Sequence, residues 1–291
     1  MLLRVLAGLL LLISISVQAV VPSPNPLVGK LWSPVQQRYV AWPEFYRDWL
    51  PTGGWLLLGE QHDNPDHHKQ QSRLIQALGE RGQLGAVALE MATPAQQAAL
   101  DRALHDPDAR TPDRLAWSEG WPWTLYQAPL QAAFRWSSRV LGADLSRPEV
   151  RALYTANAAV AELEPAHADF MLDLLYESHC RQLPREQLQP MRRIQLARDQ
   201  QIASVLRANA RPDRTGVLLT GSIHARADLG VPRWLGSLPR RTVLMVAVTD
   251  DTDPAAYLPE SFGDLGSADL LLFTPQVDAP DYCADLQLKS N

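Results

Sequence analysis

Beyond residue 19 this sequence has no apolar run long enough to cross a bilayer, which excludes a membrane-spanning helix in that part of the chain. It has no basic cluster and few lysines. With a net charge of −5 at neutral pH, it lacks the electrostatic footprint of a nucleic-acid binder. It has no low-complexity tract and no repeat at solenoid period, so an extended array is excluded as well. Cysteine is nearly absent: Cys180 and Cys283 are the only two. In an oxidising compartment such a pair forms a disulfide more readily than a metal site. Closing so long a loop stabilises by about 4–5 kcal/mol in the chain-entropy model. The alternative is two buried thiols.

What is present begins with an export signal. Residues 1–19 carry one charge, Arg4, then an apolar run from Val5 to Ile13, then small residues around Val17-Gln18-Ala19. That is the pattern of a cleaved signal peptide, the alternative being an uncleaved anchor helix. The remaining 20–291 are enough for one large α/β domain.

Strands and helices alternate along that domain. Continuous apolar runs at Trp55-Leu58, Gly85-Leu89, Val217-Thr220, Val243-Val248 and Leu270-Phe273 suit central strands buried on both faces, with a shorter strand at Val140-Asp144. Asn64 then Pro65 starts a helix expected to reach Leu78, where Gly79 can end it. Thr93 then Pro94 starts another. Residues 105–210 are mostly helical, broken near Pro165, Pro184 and Pro190, and are expected to form an inserted lobe. The fold class predicted is α/β: a mostly parallel sheet with flanking helices and that lobe. Val20 to Gln36 reads as an extended lead-in.

In such a sheet, ligands bind beyond the carboxyl ends of the strands. The first strand leaves as Gly59-Glu60-Gln61-His62-Asp63, the second as Glu90-Met91, the fourth as Gly221-Ser222-Ile223-His224. Two exits share the spacing Gly-x-x-His, and glycine suits a sharp exit that needs unusual backbone angles. Glu60, His62, Glu90 and His224 therefore form the candidate site. Carboxylates with neutral imidazoles can hold a divalent ion such as Mn, Co or Zn, and a Glu–His pair can activate water. The structural alternative is a buried hydrogen-bonded network that ties the loops together. His67, on the helix's inner face, could support the site from behind, but both His67 and His68 read first as ordinary surface or packing residues. Trp117, Trp121, Trp123 and Tyr126 could wall a flat aromatic ligand or simply pack the core. Arg198 and Asp199 could contact an acidic ligand or form a solvated ion pair.

These stretches, read together, resemble the ChaN-like family, grouped as the haem-binding uptake or Tiki superfamily. The matching segments are Leu58 to Pro65 with His67-His68, Ala88-Leu89-Glu90-Met91, Gly120-Trp121-Pro122, His179-Cys180, Arg198-Asp199, and Gly221 to His224 with Gly230-Val231-Pro232. The resemblance implies haem (haem b) as cofactor, a homodimer around stacked haems, and a part in bacterial haem and iron acquisition with an outer-membrane uptake system. It implies a tyrosine ligand to the iron. Tyr126 is the first candidate, with Tyr154 and Tyr176 behind it, and Trp121 and Arg198 as further haem contacts. The wider superfamily implies an alternative, a metal-dependent esterase or peptidase using Glu60, His62, Glu90 and His224. A scaffold with a vestigial site is the third possibility. No cysteine follows the export signal to accept a lipid, so a free periplasmic protein is expected.

Overall fold

The computed structural model describes residues 25–155, 160–278 and 283–284; the expected export signal lies outside them. Among the described residues no helix is long and apolar enough to cross a membrane. In chain order the elements are β1 (Leu31–Ser33), β2 (Arg38–Val40), α1 (Trp42–Glu44), β3 (Trp55–Glu60), α2 (Pro65–Glu80), β4 (Leu84–Leu89), α3 (Gln97–His105), α4 (Trp123–Trp136) and β5 (Arg139–Gly142). There follow α5 (Arg147–Thr155), α6 (Pro165–Ser178), α7 (Gln189–Asn209), β6 (Thr215–Gly221), α8 (Ser222–Ala225), β7 (Arg240–Ala247) and β8 (Leu270–Thr274).

The strands form one eight-stranded sheet in the order β2-β1-β8-β7-β3-β6-β4-β5. From β8 to β5 all neighbours are parallel, and β1 and β2 add an antiparallel edge. The expected mostly parallel α/β fold is what forms. Alternate residues of each central strand serve opposite cores. Leu56 and Leu58 pack with Leu74 and Leu78 of α2 and Leu130 and Phe134 of α4. Trp55 and Leu57 pack with Ile202 and Leu206 of α7 on the other face. Both faces are dry, so the strands show unbroken apolar runs rather than alternation. Each such side chain contributes about 1.5–3 kcal/mol by burial.

Several local expectations are corrected. The lead-in contributes β1, which pairs with β2 just beyond it as a short hairpin; three-residue strands are too brief to leave a periodic signature. α2 passes through Gly79 to Glu80. Gly79 is small because α4 crosses there: a Cβ would sit 2.5 Å from Trp136 Cβ. The glycine with a positive φ, +64°, is Gly82 beyond the helix.

The stretch 105–210 divides into parts. β5 is the sheet's edge strand, α4 covers one face and α7 covers the other. α6 and the turn before α7 have a small core of their own around Leu172, Leu175 and Leu188. Cys180, just past α6, is disulfide-bonded to Cys283 (S–S 2.05 Å), which ties that unit to the C-terminal segment.

Candidate functional site

The strand order brings the carboxyl ends of β3, β6, β4 and β5 side by side, and pairing keeps them level: Glu60 lies opposite Gly221, and Leu89 lies opposite both Leu219 and Gly142. Glu60, Glu90, His62 and His224 thereby meet. His62 Nδ1 donates to Glu60 Oε1 at 2.8 Å and turns Nε2 toward Glu90 Oε1, 3.8 Å away. His224 Nδ1 donates to Asp199 Oδ1 at 2.7 Å, and its Nε2 lies 3.9 Å from the same Glu90 oxygen. Two carboxylate-oriented imidazoles thus flank one buried carboxylate.

Glu90 is the hub. Its Oε1 accepts from Arg198 Nη2 at 2.7 Å; its Oε2 accepts from Thr220 Oγ1 at 2.6 Å and Gly221 N at 2.7 Å. Arg198 also holds Asp144, just past β5, through Nε (3.0 Å) and Nη2 (2.6 Å). Burial opposes the charge on Glu90, but His224, Arg198 and His62 outweigh it and hold the carboxyl well below the usual range. The imidazoles move the other way. Burial again opposes the charge, yet Glu60 and Glu90 raise His62, and Asp199 and Glu90 raise His224.

Around Glu60 the fit is equally close. Tyr126 Oη donates to Oε1 at 2.7 Å and Gln71 Nε2 donates to Oε2. Tyr126 is 2 % exposed, and burial with the neighbouring Glu60 pushes its phenol far above the ordinary tyrosine range. The candidate iron ligand is therefore a neutral hydrogen-bond donor inside the network. Trp121 stands edge-on to His62, with ring centroids 4.8 Å apart.

His67 and His68 are not surface residues; both are buried. His67 Nδ1 accepts from Gln61 N at 2.9 Å while its Nε2–H donates to Thr274 Oγ1 at 3.1 Å. His68 Nε2 donates to the His62 carbonyl at 3.1 Å. The first turn of α2 thus grips the Gln61–Asp63 turn and places His62. Burial, with His68 next, lowers the His67 pKa to about 3, so it serves as a neutral clamp.

Arg198 and Asp199 are likewise not a solvated pair, because each turns to a different partner. Asp144, Gln71 and Thr220 joined the site unannounced. Their signals, a carboxylate just past a strand, one glutamine on a helix face and one threonine in a strand, have no value until the strand order is known.

The two Gly-x-x-His glycines answer to space rather than angle. Gly221 has an ordinary φ of −60°. A Cβ there would stand 2.7 Å from His62 Nε2, and one at Gly59 would stand 2.6 Å from Leu244 Cδ2.

The divalent-ion expectation does not fit this donor set. Among the described residues no group of three or more His, Cys, Asp or Glu could hold a metal ion. The reason is electrostatic: Arg198 occupies the Glu90 oxygen that faces both imidazoles, and Glu60 is held by Tyr126 and Gln71, which leaves the Nε2 atoms of His62 and His224 without a carboxylate to complete a cation site.

Beside the network opens a cleft of about 860 Å³, within the ~300–1,000 Å³ usual for small-molecule sites. Glu90, Asp144 and Arg198 line it, with Trp121, Met91, Val150 and Ile194, and with Arg147, Arg151 and Tyr154 of α5. Tyr154 is 52 % exposed. The cleft is a broad, largely apolar slot with an exposed phenol and arginines along one edge.

An open α/β sheet with a buried acid–imidazole–guanidinium network at its carboxyl edge defines the class. The chain belongs to the family described as haem-binding uptake, Tiki superfamily, ChaN, whose pattern matches residues 50–235, more than half its length. The solved structure of ChaN of Campylobacter jejuni, described as showing cofacial haem binding, has the same fold. Its TM-score is 0.67 at 22 % identity, over 83 % of this chain and 95 % of that one. An erythromycin esterase, a single-residue mutant of EreC in its open conformation, aligns over 86 % of this chain and 84 % of that one, at 14 % identity. Its TM-score is 0.46. No curated protein is matched by the sequence.

Two outcomes are expected from this geometry. Gly221→Ala should drive His62 away from Glu90 at a cost of about 1–3 kcal/mol. The His62 pKa, followed by NMR, should then fall toward 6.5, and an unchanged titration would show that the glycine is incidental. The second concerns pH. Stability from the raised imidazoles is complete below their ordinary pKa of 6.5 and lost as pH rises through the raised values. That from Glu90 is present above 4.5 and lost as pH falls toward its depressed value. The cluster should stabilise most between those limits, so the melting temperature should drop as pH rises from 6.5 through the raised imidazole values. That slope should flatten in the double variant His62→Gln/His224→Gln.

Proposed function

We propose that this protein is a periplasmic haem-binding protein of bacterial haem or iron acquisition, taking haem b in the cleft beside α5. Family membership supports the ligand class, and the observation that carries the reading is Tyr154. Its phenol is open to a cleft of haem size, whereas the phenol of Tyr126 is buried and hydrogen-bonded to Glu60. A phenolate ligand must shed its proton, which costs least at an exposed phenol. Tyr154 is accordingly the iron ligand of this reading, Trp121 a wall, and Arg198 the floor. The bound haem would supply the iron centre; the chain would supply the ligand oxygen, the apolar walls and the exclusion of water. Cofacial binding in the Campylobacter jejuni protein supports a homodimer of this chain around stacked haems; in this reading an outer-membrane uptake system would deliver them. The single charge and apolar run of residues 1–19 support export.

Haem titrated into the purified protein should give a saturable Soret shift. Tyr154→Phe should weaken binding at least about tenfold and move the band, while Tyr126→Phe should leave the band in place. Free-haem spectra at every ratio would reject the reading.

A second reading, a Glu/His hydrolase, rests on the two oriented imidazoles. His62, backed by Glu60 and partly exposed, has the arrangement of a general base, worth about 10²–10⁴-fold in rate. Arg198 already fills the place a cation would take, which disfavours a metal-dependent form of this chemistry. Turnover in an ester and peptide panel that persists in EDTA and collapses in His62→Gln would support it; no turnover in the wild type would end it.

A further inference from the structure

α6 and the turn before α7 carry an apolar core of their own, Leu172, Leu175 and Leu188, which belongs to neither core of the sheet. Three side chains bury too little surface to order such a unit alone, so it depends on what ties it to the body. The first two turns of α6 are docked by side chains. Arg233 Nη2 donates to Glu164 Oε1 at 2.9 Å, and His167 Nε2 donates to the Leu229 carbonyl at 3.0 Å. Phe170 lies under the Arg226 guanidinium and edge-on to Phe262. The helix has 14 residues, so its other end is about 20 Å away. There the tie is covalent, the bond from Cys180 to Cys283 across 103 positions.

The backbone at that bond is strained. Arg181 N–H donates to the Tyr176 carbonyl at 3.0 Å and Cys180 N–H to the Glu177 carbonyl at 2.9 Å. Such helix endings place a residue in the left-handed region, usually a glycine. Here Cys180 (φ 57°) and Arg181 (φ 56°) take that conformation in succession, and each carries a Cβ that opposes it. Cys180 is half-buried and Cys283 exposed, so the sulfurs are open to a thiol. Exposed or strained disulfides are the ones most readily reduced. Cys283 also lies beyond residues 50–235, the part that follows the family pattern.

The unit is coupled to the cleft through the residues ahead of α6. Arg192 of α7 donates to both carboxylate oxygens of Glu162, and Gln200 Nε2 donates to the Ala161 carbonyl at 2.8 Å. α5, the cleft's wall, runs in the chain into these pinned residues and then into α6. A displacement of α6 pulls on the pins and on the wall.

We infer that the Cys180–Cys283 bond is a reducible strap that sets how firmly the α5 wall of the cleft is held. Closed, it leaves α6 clamped at both ends. A dithiol opens it in two steps. Its thiolate attacks Cys283 Sγ, forms a mixed disulfide and expels the Cys180 thiolate, which takes up a proton. The reductant's second thiol then closes onto its first sulfur and releases Cys283 as a thiol. Two electrons and two protons pass to the protein, and the reductant leaves as a disulfide. α6 is then held at one end, and the wall loosens. The strap stands on its own; its effect on the ligand rests on the haem reading.

Hydrogen exchange read by mass spectrometry tests the strap with no ligand present. Protein reduced with dithiothreitol, alkylated and desalted should exchange its α5 and α6 amides about ten- to thirtyfold faster than oxidised protein, the scale of a typical disulfide's contribution. β3 and β6 should exchange as before. Cys180→Ser/Cys283→Ser should match the reduced protein and ignore dithiothreitol. Haem captured by apomyoglobin should leave the reduced protein and this variant about tenfold faster than the oxidised protein, a change in off-rate.

Unchanged exchange on reduction would overturn the strap, and so would a rise shared equally by β3 and β6, the mark of a general staple. Faster exchange with unaltered haem release would overturn the control of the cleft. A wild type that binds no haem would overturn the haem reading, while the exchange comparison would still decide the strap.

Discussion

A carboxylate buried at the end of a central strand must find positive charge or lose its own, and Glu90 organises this edge by finding three partners. Arg198 comes from α7, His62 from the turn after β3 and His224 from α8. Each belongs to a different crossover, so the attraction that keeps Glu90 ionised also ties three loops together. Removing one member of such a set leaves the others buried without compensation, the costly case for ion pairs inside a protein. The remaining acids answer that positive charge: Asp144 takes the free side of Arg198, Asp199 the back of His224, and Glu60 the back of His62.

The same hub separates two regions. On one side lies the closed network, where the oxygens of Glu60 and Glu90 are committed to protein donors. On the other lies the cleft, which shares Glu90, Asp144 and Arg198 as its floor but is walled by apolar residues and by α5. A fold can keep one arrangement at the strand ends and put its ligand chemistry in the loops beside it. The haem reading places binding in the cleft and gives the network the task of holding the cleft's floor rigid. The hydrolase reading gives the network a reaction of its own.

The histidines and glycines show how residue type alone misleads. His67 and His68 carry no signal that separates a clamp from a solvated pair, because their partners are the backbone of the preceding turn and a threonine 207 positions away. Gly79 sits where a helix cap belongs and is instead the contact point of two helices. The Gly-x-x-His repeat did point to the site, but its glycine at 221 is needed to admit an imidazole from another strand's exit.

Much was nonetheless decided by local order in the chain. The apolar runs, the Asn64-Pro65 start and the alternation of strand and helix specify an α/β sheet, since each is a matter of near neighbours and solvent exclusion. The sequence also named the residues at the strand exits. What it left open was which exits adjoin. β6 inserts between β3 and β4, two strands far earlier in the chain, and that insertion brings His224 to Glu90 at the edge where Glu60 and His62 also lie. The same event sets Arg198 against Glu90 and turns Tyr126 inward while Tyr154 faces the cleft. Such choices depend on long-range packing of whole layers, to which no short stretch of sequence has access.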